Sequence, residues 1–362
     1  MIRDLGAQVW EEGASLVILG GGRPRSGHLD CGESGFCLRA AAAVAALEDR
    51  PMTLAGRGSL LTRPMDMLLE PLRQLGVACA TQGGLPPLEL TGPLQGGRAT
   101  VDGRASSQFL SGLLLALPRA PLDSVLEVEG LRSAPYIRMT LDVLEAFGVR
   151  VEASAALDRF AIPGRQVYRP VDLGVEGDWS GAAFLLVAGA VAGEVAVAGL
   201  NPASAQADRA VLEALAAAGA TPHWEGGALR VGRSRLQGFQ FDATDCPDLF
   251  PPLAVLACHA EGVTRLKGAG RLKVKESDRA TALVAELSAL GATLRVEDDW
   301  MVIQGGPLRG GAVDAHNDHR IAMACAVAAL GSREGADLTG EGSVDKSYPE
   351  FFEDLNALRG GA

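Results

Sequence analysis

The chain repeats one pattern at intervals of about 70 residues, and this repeat limits the folds open to it more than any other feature. An apolar, helix-like segment ends at a glycine, and a strand-like segment usually follows that glycine. This pattern occurs at six places: Gly6, Gly76, Gly148, Gly219, Gly291 and Gly360. The intervals are 70, 72, 71, 72 and 69 residues. Glycine suits the position just beyond a helix because it adopts a positive φ without steric cost. We therefore expect a helix end at each of these glycines.

Small polar residues open apolar helices at a second set of positions with nearly the same period. These positions are Ser34, Ser106, Ser180, Asp248 and Asp318. Their side-chain oxygens can cap a helix by accepting a hydrogen bond from a free backbone N–H. The simplest unit is βαβαββ, and chance recurrence of helix, glycine and strand in an ordinary α/β protein is the alternative. Six helix ends are visible but only five helix openings. We therefore expect the first unit to be incomplete by about 60 residues.

Composition excludes several classes of function. The chain has 362 residues, which suggests about two domains. Its 33 basic and 44 acidic residues give a net charge of −11, so a general nucleic-acid binder, which needs a basic face, is excluded. The longest apolar run, residues 181–193, is too short to span a bilayer and predicts a buried helix. We expect a cytoplasmic protein with no membrane partner.

The cysteines and histidines show no pattern typical of a metal site. The six cysteines lie far apart, without a CxxC pair, and several stand inside apolar runs. This distribution is typical of reduced, buried thiols. The sequence therefore predicts neither disulfides nor a bound metal.

Several predicted helix openings carry groups that could bind an anion, since free N–H groups and the helix dipole favour negative charge there. Ser106, Ser107 and Gln108 offer two hydroxyls and an amide, although plain capping explains them as well. Lys275 and Arg279 are four residues apart and would share a helix face, with Glu276 beside them. Two cations and one acid suit an anionic substrate and a proton transfer, but a salt-bridged surface helix has the same pattern.

Several further charged residues can be explained without a functional site. His319 and Arg320 could bind an oxyanion, or Asp318 could simply cap a helix beside an exposed histidine. Asp248 could be a general base or a cap. Arg63 precedes a proline and is typical of a helix start. Lys346, taken alone, is typical of a surface charge.

Taken together, seven segments resemble the family of 3-phosphoshikimate 1-carboxyvinyltransferases, or EPSP synthases. They occur in the family's order across nearly the whole chain: TRPMDMLLEPLRQLGV, DGRASSQFL, RSAPYIRMTLDVLEAFGV, DCPDLFPPLAVLA, RLKVKESDR, NDHRIAMA and DKSYPEFFEDL. The resemblance implies a two-domain inverted α/β barrel with three βαβαββ units in each domain. We expect a first lobe at 1–175, on the shikimate 3-phosphate side, a second at 176–362, on the phosphoenolpyruvate side, and an active site in the cleft between them.

The resemblance also implies the reaction. The family transfers the enolpyruvyl (1-carboxyvinyl) group from phosphoenolpyruvate to the 5-hydroxyl of shikimate 3-phosphate, through a tetrahedral ketal phosphate, and releases phosphate. The product, 5-enolpyruvylshikimate 3-phosphate, leads to chorismate and the aromatic amino acids. The enzyme is a transferase of alkyl groups other than methyl. The two substrates are the expected partners of a monomer that uses no metal or organic cofactor.

Residue by residue, the resemblance implies these roles. Shikimate 3-phosphate would be bound by Ser106, Ser107, Gln108, Ser133, Tyr136, Asp248 and Lys275. Phosphoenolpyruvate would be bound by Gly35, Arg63, Gln108, Arg279, Arg320 and Lys346. The catalytic groups would be Asp248, Glu276, His319 and Lys346. In these roles Asp248 accepts the hydroxyl proton, Glu276 takes part in proton transfer at the methylene carbon, and His319 hydrogen-bonds the intermediate.

The sequence departs from the family pattern in places. The family's N-terminal segment, with a Lys-Ser pair and a downstream Arg, has no counterpart here. Glu33 and Phe36 replace family residues beside Gly35, and Arg271 stands where many members have Asn. A non-catalytic relative that binds phosphorylated ligands is therefore the alternative. The related transferase acting on a UDP-sugar fits less well, because it lacks the SSQ and NDHR strings.

Overall fold

The computed structural model describes residues 1–104, 106–273 and 275–359, without the side chain of Arg359. The chain divides into two compact units, Met1–Asp172 and Leu173–Ala362. Within the described residues, groups of one to three strands alternate with helices along the chain. Gly360 lies outside the described residues.

The first unit contains a hairpin and two four-stranded sheets with their helices. Its strands are β1 Gln8–Glu12, β2 Ser15–Leu19, β3 His28–Asp30, β4 Pro51–Ala55, β5 Ala78–Gln82, β6 Leu85–Thr91, β7 Gly97–Asp102, β8 Ser124–Glu129, β9 Glu152–Ala153 and β10 Arg159–Ile162. Its helices are α1 Gly35–Ala45, α2 Leu69–Gln74, α3 Gln108–Ala116 and α4 Ala134–Ala146.

The second unit contains three sheets. Its strands are β11 Glu194–Ala198, β12 His223–Glu225, β13 Ala228–Gly232, β14 Gln240–Asp242, β15 Val263–Lys267, β16 Thr293–Glu297, β17 Trp300–Gln304, β18 Gly311–Asp314 and β19 Ala336–Thr339. Its helices are α5 Trp179–Ala192, α6 Val211–Ala217, α7 Phe250–Cys258, α8 Arg279–Ala289, α9 His319–Leu330 and α10 Phe351–Arg359.

Three stretches of the chain form complete βαβαββ units. Their sheets have the same spatial order: β3-β4-β6-β5, β7-β8-β10-β9 and β14-β15-β17-β16. In each, the first two strands are parallel and joined through a helix, while the last two form an antiparallel hairpin. Sheets β11-β13-β12, β18-β19 and β1-β2 contain fewer strands. The βαβαββ prediction is confirmed for the three complete units.

Buried apolar helices form the core of each unit. In the first unit α1 packs against α3, and in the second α5, α7 and α9 pack together. Helix α5 covers the run predicted to be a buried helix, and ten of its central residues have little or no exposure, in accord with its lack of charged side chains. All six cysteines are free, but Cys37 and Cys79 are only half-buried. Among the described residues, no helix is long and apolar enough to cross a membrane.

The helix-end glycines have the predicted backbone geometry. Gly76, Gly148, Gly219 and Gly291 follow α2, α4, α6 and α8, with φ between 75° and 99°. Gly6 has φ 99°, and it follows a single turn in which the Leu5 N–H donates to the Met1 carbonyl at 3.0 Å. The periodic glycines therefore mark the ends of helical turns.

The helix openings are only partly as predicted. Ser34 and Asp318 are N-caps, and their side chains accept from the N–H groups of Cys37 and Arg320. Ser180 is not a cap, because Asp178 two residues earlier accepts from the N–H groups at the start of α5. The cap position of α3 is Ser107, while Ser106 Oγ accepts from the Gln108 N–H at 3.2 Å.

Two further predicted helix openings were wrong. Asp248 lies inside the short 3-10 helix Pro247–Leu249 and its carboxylate binds cations instead of capping. Arg63 follows a 3-10 helix, Gly58–Thr62, rather than beginning one. For Asp248 the ionic partners, Lys275, Arg279 and Arg320, lie far away in the sequence, and helix-cap statistics do not include such distant contacts.

Replacing Gly291 by Ala should destabilise the protein by about 1–2 kcal/mol, because an L-residue is strained at its φ of 99°. Gly306→Ala is the matched control, since an added Cβ there meets nothing within 4 Å and its φ is not positive. We expect that control to change the free energy of unfolding by less than about 0.5 kcal/mol. Urea unfolding measures both, and equal stabilities would contradict the assignment of Gly291 as a helix end.

Candidate active site

Arg279 is the centre of a charged cluster in the second unit. Its side chain is 1% exposed and lies at the first position of α8. Nε and Nη2 donate to the two oxygens of Asp318 at 2.8 and 3.1 Å, and Nη1 donates to Asp248 Oδ1 at 2.8 Å. Nη2 also donates to Glu276 Oε2 at 2.6 Å. A buried guanidinium therefore fixes three carboxylates at once.

Asp248 lies among three cations. Besides Arg279, Lys275 Nζ lies 3.4 Å from Oδ1 and Arg320 Nη2 lies 3.3 Å from Oδ2. Burial alone would raise the pKa of Asp248, but the charges of Arg320, Lys275 and Arg279 hold that pKa well below its usual value. Asp248 is therefore ionised near neutral pH.

Lys275 and Glu276 reach this cluster from a loop. The sequence placed Lys275 and Arg279 on one helix face, but α8 begins only at Arg279, with Asp278 as its cap. Both cations nevertheless meet at Asp248. Burial lowers the pKa of Lys275, although Asp248 opposes the shift.

His319 and Lys346 flank the cluster at the start of α9. The His319 side chain is 8% exposed, and burial together with the charges of Arg320 and Arg279 lowers its pKa to about 4. The ring is therefore neutral at pH 7. Lys346 Nζ donates to the Asn317 carbonyl at 2.7 Å. Asn317 and the neighbouring His316 both have positive φ, which is uncommon for non-glycine residues.

In the first unit, the polar residues predicted to bind a ligand lie at two helix starts. Ser106, Ser107 and Gln108 form the start of α3, and both serines are buried. Ser133 precedes α4 in the left-handed region, at φ 58°. Tyr136 lies in the first turn of α4. The two helices pack together, and Ser111 and Thr140 are hydrogen-bonded across them at 2.8 Å.

Arg39, which sequence reasoning missed, fixes the side chain of Gln108. Its side chain is buried on α1, where Nη1 donates to Gln108 Oε1 at 3.0 Å and Nη2 donates to the Pro64 carbonyl at 3.1 Å. With the amide oxygen of Gln108 engaged, its NH2 group is oriented as the donor toward any further partner. An arginine inside the Ala-rich run of α1 was the signal that could have revealed it.

Gly35 and Arg63 are in close approach. A Cβ at Gly35 would lie 2.6 Å from Arg63 Nη1, so only glycine leaves room for this guanidinium at the start of α1. Next to Gly35, the side chain of Phe36 is half exposed. Glu33 accepts hydrogen bonds from the backbone and side chain of Ser59 at 3.3 Å.

Asp318 was predicted only as a cap, but it also supports the cluster. It is fully buried and accepts hydrogen bonds from Ser277 Oγ at 2.9 Å and from Arg279. Burial alone would raise the pKa of Asp318, but Arg279 and the charge of His319 lower it to about 2. Arg271, which departs from the family pattern, donates through Nη1 to the Thr244 carbonyl. No group of residues suited to a metal ion occurs in the described part of the chain.

These features suit proton transfer on anionic substrates. Lys275, Arg279 and Arg320 are balanced by Asp248, Glu276 and Asp318, so an incoming anion must compete with carboxylates for the cations. The carboxyl groups of Asp248 and Glu276 can accept protons from a substrate or donate protons to it. The neutral ring of His319 can donate or accept a hydrogen bond.

Comparison with known proteins shows the fold first. The chain superposes on the EPSP synthase of Acinetobacter baumannii with a TM-score of 0.78 and 29% identity, over 98% of this chain and 85% of that one. It also superposes on the enolpyruvyl transferase NikO from Streptomyces tendae with a TM-score of 0.75 and 20% identity, over 98% and 84%. The fold is that of the enolpyruvyl transferases, which confirms the predicted fold class.

Sequence comparison then gives the family. A profile of the EPSP synthase (3-phosphoshikimate 1-carboxyvinyltransferase) family matches residues 1–355. The 3-phosphoshikimate 1-carboxyvinyltransferase of Methanocella arvoryzae is 40% identical over 98% of this chain and 86% of its own length. That of Aeropyrum pernix is 41% identical over 95% and 83%. The chain belongs to the EPSP synthase family, as the sequence motifs predicted.

Replacing Arg279 by Met should destabilise the protein by about 3–5 kcal/mol, because the buried carboxylate of Asp318 would lose its countercharge. Arg295→Met is the matched control: Arg295 pairs with Glu297 at the surface, where a salt bridge contributes at most about 1 kcal/mol. The free energy of unfolding in urea, measured at pH 7, compares the two. A loss at Arg279 no larger than that at Arg295 would show that the cluster is not structural.

Proposed function

We propose that this chain transfers the enolpyruvyl group of phosphoenolpyruvate to the 5-hydroxyl of shikimate 3-phosphate, with Asp248 and Glu276 as its proton-transfer groups. The relatives named 3-phosphoshikimate 1-carboxyvinyltransferase confirm the reaction that the motifs predicted. The assignment of the proton-transfer groups is supported chiefly by the position of Asp248 among Lys275, Arg279 and Arg320.

The proposed first step is addition. The 5-hydroxyl oxygen bonds to the central carbon of phosphoenolpyruvate, its proton passes to Asp248, and the methylene carbon gains a proton from the Glu276 carboxyl. The product is a tetrahedral ketal phosphate. In the second step the bond between the central carbon and the phosphate oxygen breaks, and the phosphate leaves with the proton held by Asp248. The methyl group returns its proton to Glu276, which regenerates the vinyl group. Hydrogen bonding from neutral His319 would stabilise the intermediate.

The first unit would bind shikimate 3-phosphate through Ser106, Ser107 and Gln108 at the start of α3, and through Ser133 and Tyr136 at the start of α4. Free N–H groups at helix starts suit a phosphate. Phosphoenolpyruvate would be bound by Arg279, Arg320 and Lys346 in the second unit, and by Arg63, Gln108 and the backbone at Gly35 in the first. That the two lobes share a cleft, and that the protein is a cytoplasmic monomer, stay predictions.

Lys346→Ala and Glu276→Gln should each lower kcat by about a hundredfold or more, since each removes a group placed at the reacting atoms. Lys267→Ala and Glu297→Gln are the controls, because Lys267 and Glu297 form exposed ion pairs elsewhere in the unit. Phosphate release from the two substrates is the measurement, with circular dichroism to check folding. A folded variant with a normal rate would remove that residue from the mechanism.

The same assay separates the transferase from a non-catalytic binding protein. The purified wild-type chain is mixed with shikimate 3-phosphate and phosphoenolpyruvate, and binding of shikimate 3-phosphate is followed in parallel by calorimetry. We expect binding and steady phosphate release. Tight binding without turnover would favour the non-catalytic alternative for this chain.

Arg39→Lys should weaken phosphoenolpyruvate binding more than it slows turnover. Lysine keeps the charge but cannot hold the Gln108 amide and the Pro64 carbonyl with one planar group. We expect the KM for phosphoenolpyruvate to rise about tenfold, because a change of this size corresponds to the free energy lost with one hydrogen bond of this kind. Arg50→Lys is the control, since Arg50 also donates to backbone carbonyls, those of Pro24 and Ser26, and contacts none of these residues. An equal rise in both variants would argue against a role for Arg39.

A further inference from the structure

Glu286 is a largely buried carboxylate on α8 that the proposed mechanism leaves unused. Its side chain is 12% exposed and lies two helical turns after Arg279, on the same face of the helix. Oε2 accepts from the Asp314 N–H at 2.9 Å, and Oε1 lies 2.7 Å from Nε2 of the His316 ring. Because an ionised carboxylate only accepts hydrogen bonds, that ring nitrogen is the donor. Glu286 therefore holds the chain at two points where β18 ends.

The segment that Glu286 holds has an uncommon backbone. His316 and Asn317 have φ of 51° and 53°, a left-handed conformation that non-glycine residues rarely adopt in succession. The His316 N–H also donates to Asp314 Oδ1 at 2.5 Å, so the turn is closed from both its backbone and its ring. Backbone of this kind persists only where surrounding contacts hold it, and it is common at functional sites.

The carbonyl of Asn317 connects this turn to Lys346, whose Nζ donates to it at 2.7 Å. Lys346 ends the 3-10 helix Glu341–Lys346, which follows β19, and β18 and β19 are parallel. The turn after β18 and the segment after β19 therefore leave the same edge of this sheet, where ligands commonly bind in α/β proteins. The orientation of the Asn317 carbonyl, and with it the position of the ammonium group, depends on the turn that Glu286 holds.

We propose that Glu286 is a positioning residue for Lys346. By holding the left-handed turn at residues 316–317, it fixes the carbonyl that orients the Lys346 ammonium group toward phosphoenolpyruvate. The inference rests on the function proposed above, in which Lys346 binds phosphoenolpyruvate and acts at the reacting atoms. Glu286 acts only through these hydrogen bonds, so its loss displaces the ammonium group without removing it.

Steady-state kinetics of Glu286→Ala give the first test. Displacement of the ammonium group should lower kcat/KM for phosphoenolpyruvate by about tenfold, while the KM for shikimate 3-phosphate stays within about twofold of wild type. Glu286→Gln should restore much of the loss, since its amide can still accept from the Asp314 N–H and donate to the other tautomer of His316. Glu261→Ala is the control, because Glu261 pairs with Arg235 at the surface. An unchanged kcat/KM, or an equal rise in both KM values, would overturn the proposal.

A double variant separates positioning from a general structural role. In Lys346→Ala the ammonium group is absent, so adding Glu286→Ala should change kcat/KM by no more than about twofold. If the double variant is again about tenfold slower than Lys346→Ala, Glu286 acts independently of Lys346 and the proposal fails.

His316→Asn is a second single variant, which also serves if Glu286→Ala does not fold. Asparagine tolerates a left-handed φ, but its side chain is too short to reach Glu286. We therefore expect kcat/KM for phosphoenolpyruvate to fall by about threefold or more. Wild-type kinetics in this variant would show that the contact between His316 and Glu286 does not matter for Lys346.

A measurement without substrates distinguishes failure of this inference from failure of the proposed function. A limiting amount of an amine-acetylating reagent labels each lysine, and mass spectrometry quantifies each site, with Lys267 in its exposed ion pair as the internal reference. Lys346 should be labelled about fivefold faster in Glu286→Ala than in wild type, which corresponds to the loss of one hydrogen bond. Equal labelling would overturn the proposal even if wild type is fully active. Faster labelling together with a normal rate in Lys346→Ala would support the positioning by Glu286 and remove Lys346 from the proposed function.

Discussion

The bidentate pair of Arg279 with Asp318 is the interaction on which the charged half of the site depends. Both side chains are essentially inaccessible to water, so neither charge is tolerable without the other. The pair joins the start of α8 to the start of α9, and the same guanidinium also holds Asp248 through Nη1 and Glu276 through Nη2. One buried cation thus sets the positions of the groups that would move protons in the reaction.

The repeated βαβαββ unit explains why so many polar residues gather at helix starts. Each complete unit has the same strand order, so corresponding helices begin at corresponding places in successive sheets. The helix starts at α3, α4, α8 and α9 hold most of the residues that the family motifs implied. The fold supplies free N–H groups and partial positive charge there, in a chain whose net charge is −11.

The electrostatics of the second unit shift the pKa values of its ionisable groups in different directions. Asp248 and Asp318 are held ionised by cations, and His319 is kept neutral by burial and by Arg320. Burial and the charge of Asp248 raise the pKa of Asp208, which has only one hydrogen-bonded oxygen among the described residues. Pairs of groups whose pKa values are pushed apart are typical of acid–base sites.

Local sequence patterns determined the period of the fold, the glycines that end its helices and the family motifs, because helix capping and positive φ depend on neighbouring residues. Only the tertiary structure decided which charges meet. Asp248 lies 27 residues from Lys275 and 31 from Arg279, and its role as a cation partner rather than a helix cap depends on that distant contact. Arg39 and Asp208 went unnoticed for the same reason, since burial and the partner of a charged side chain are properties of packing between elements.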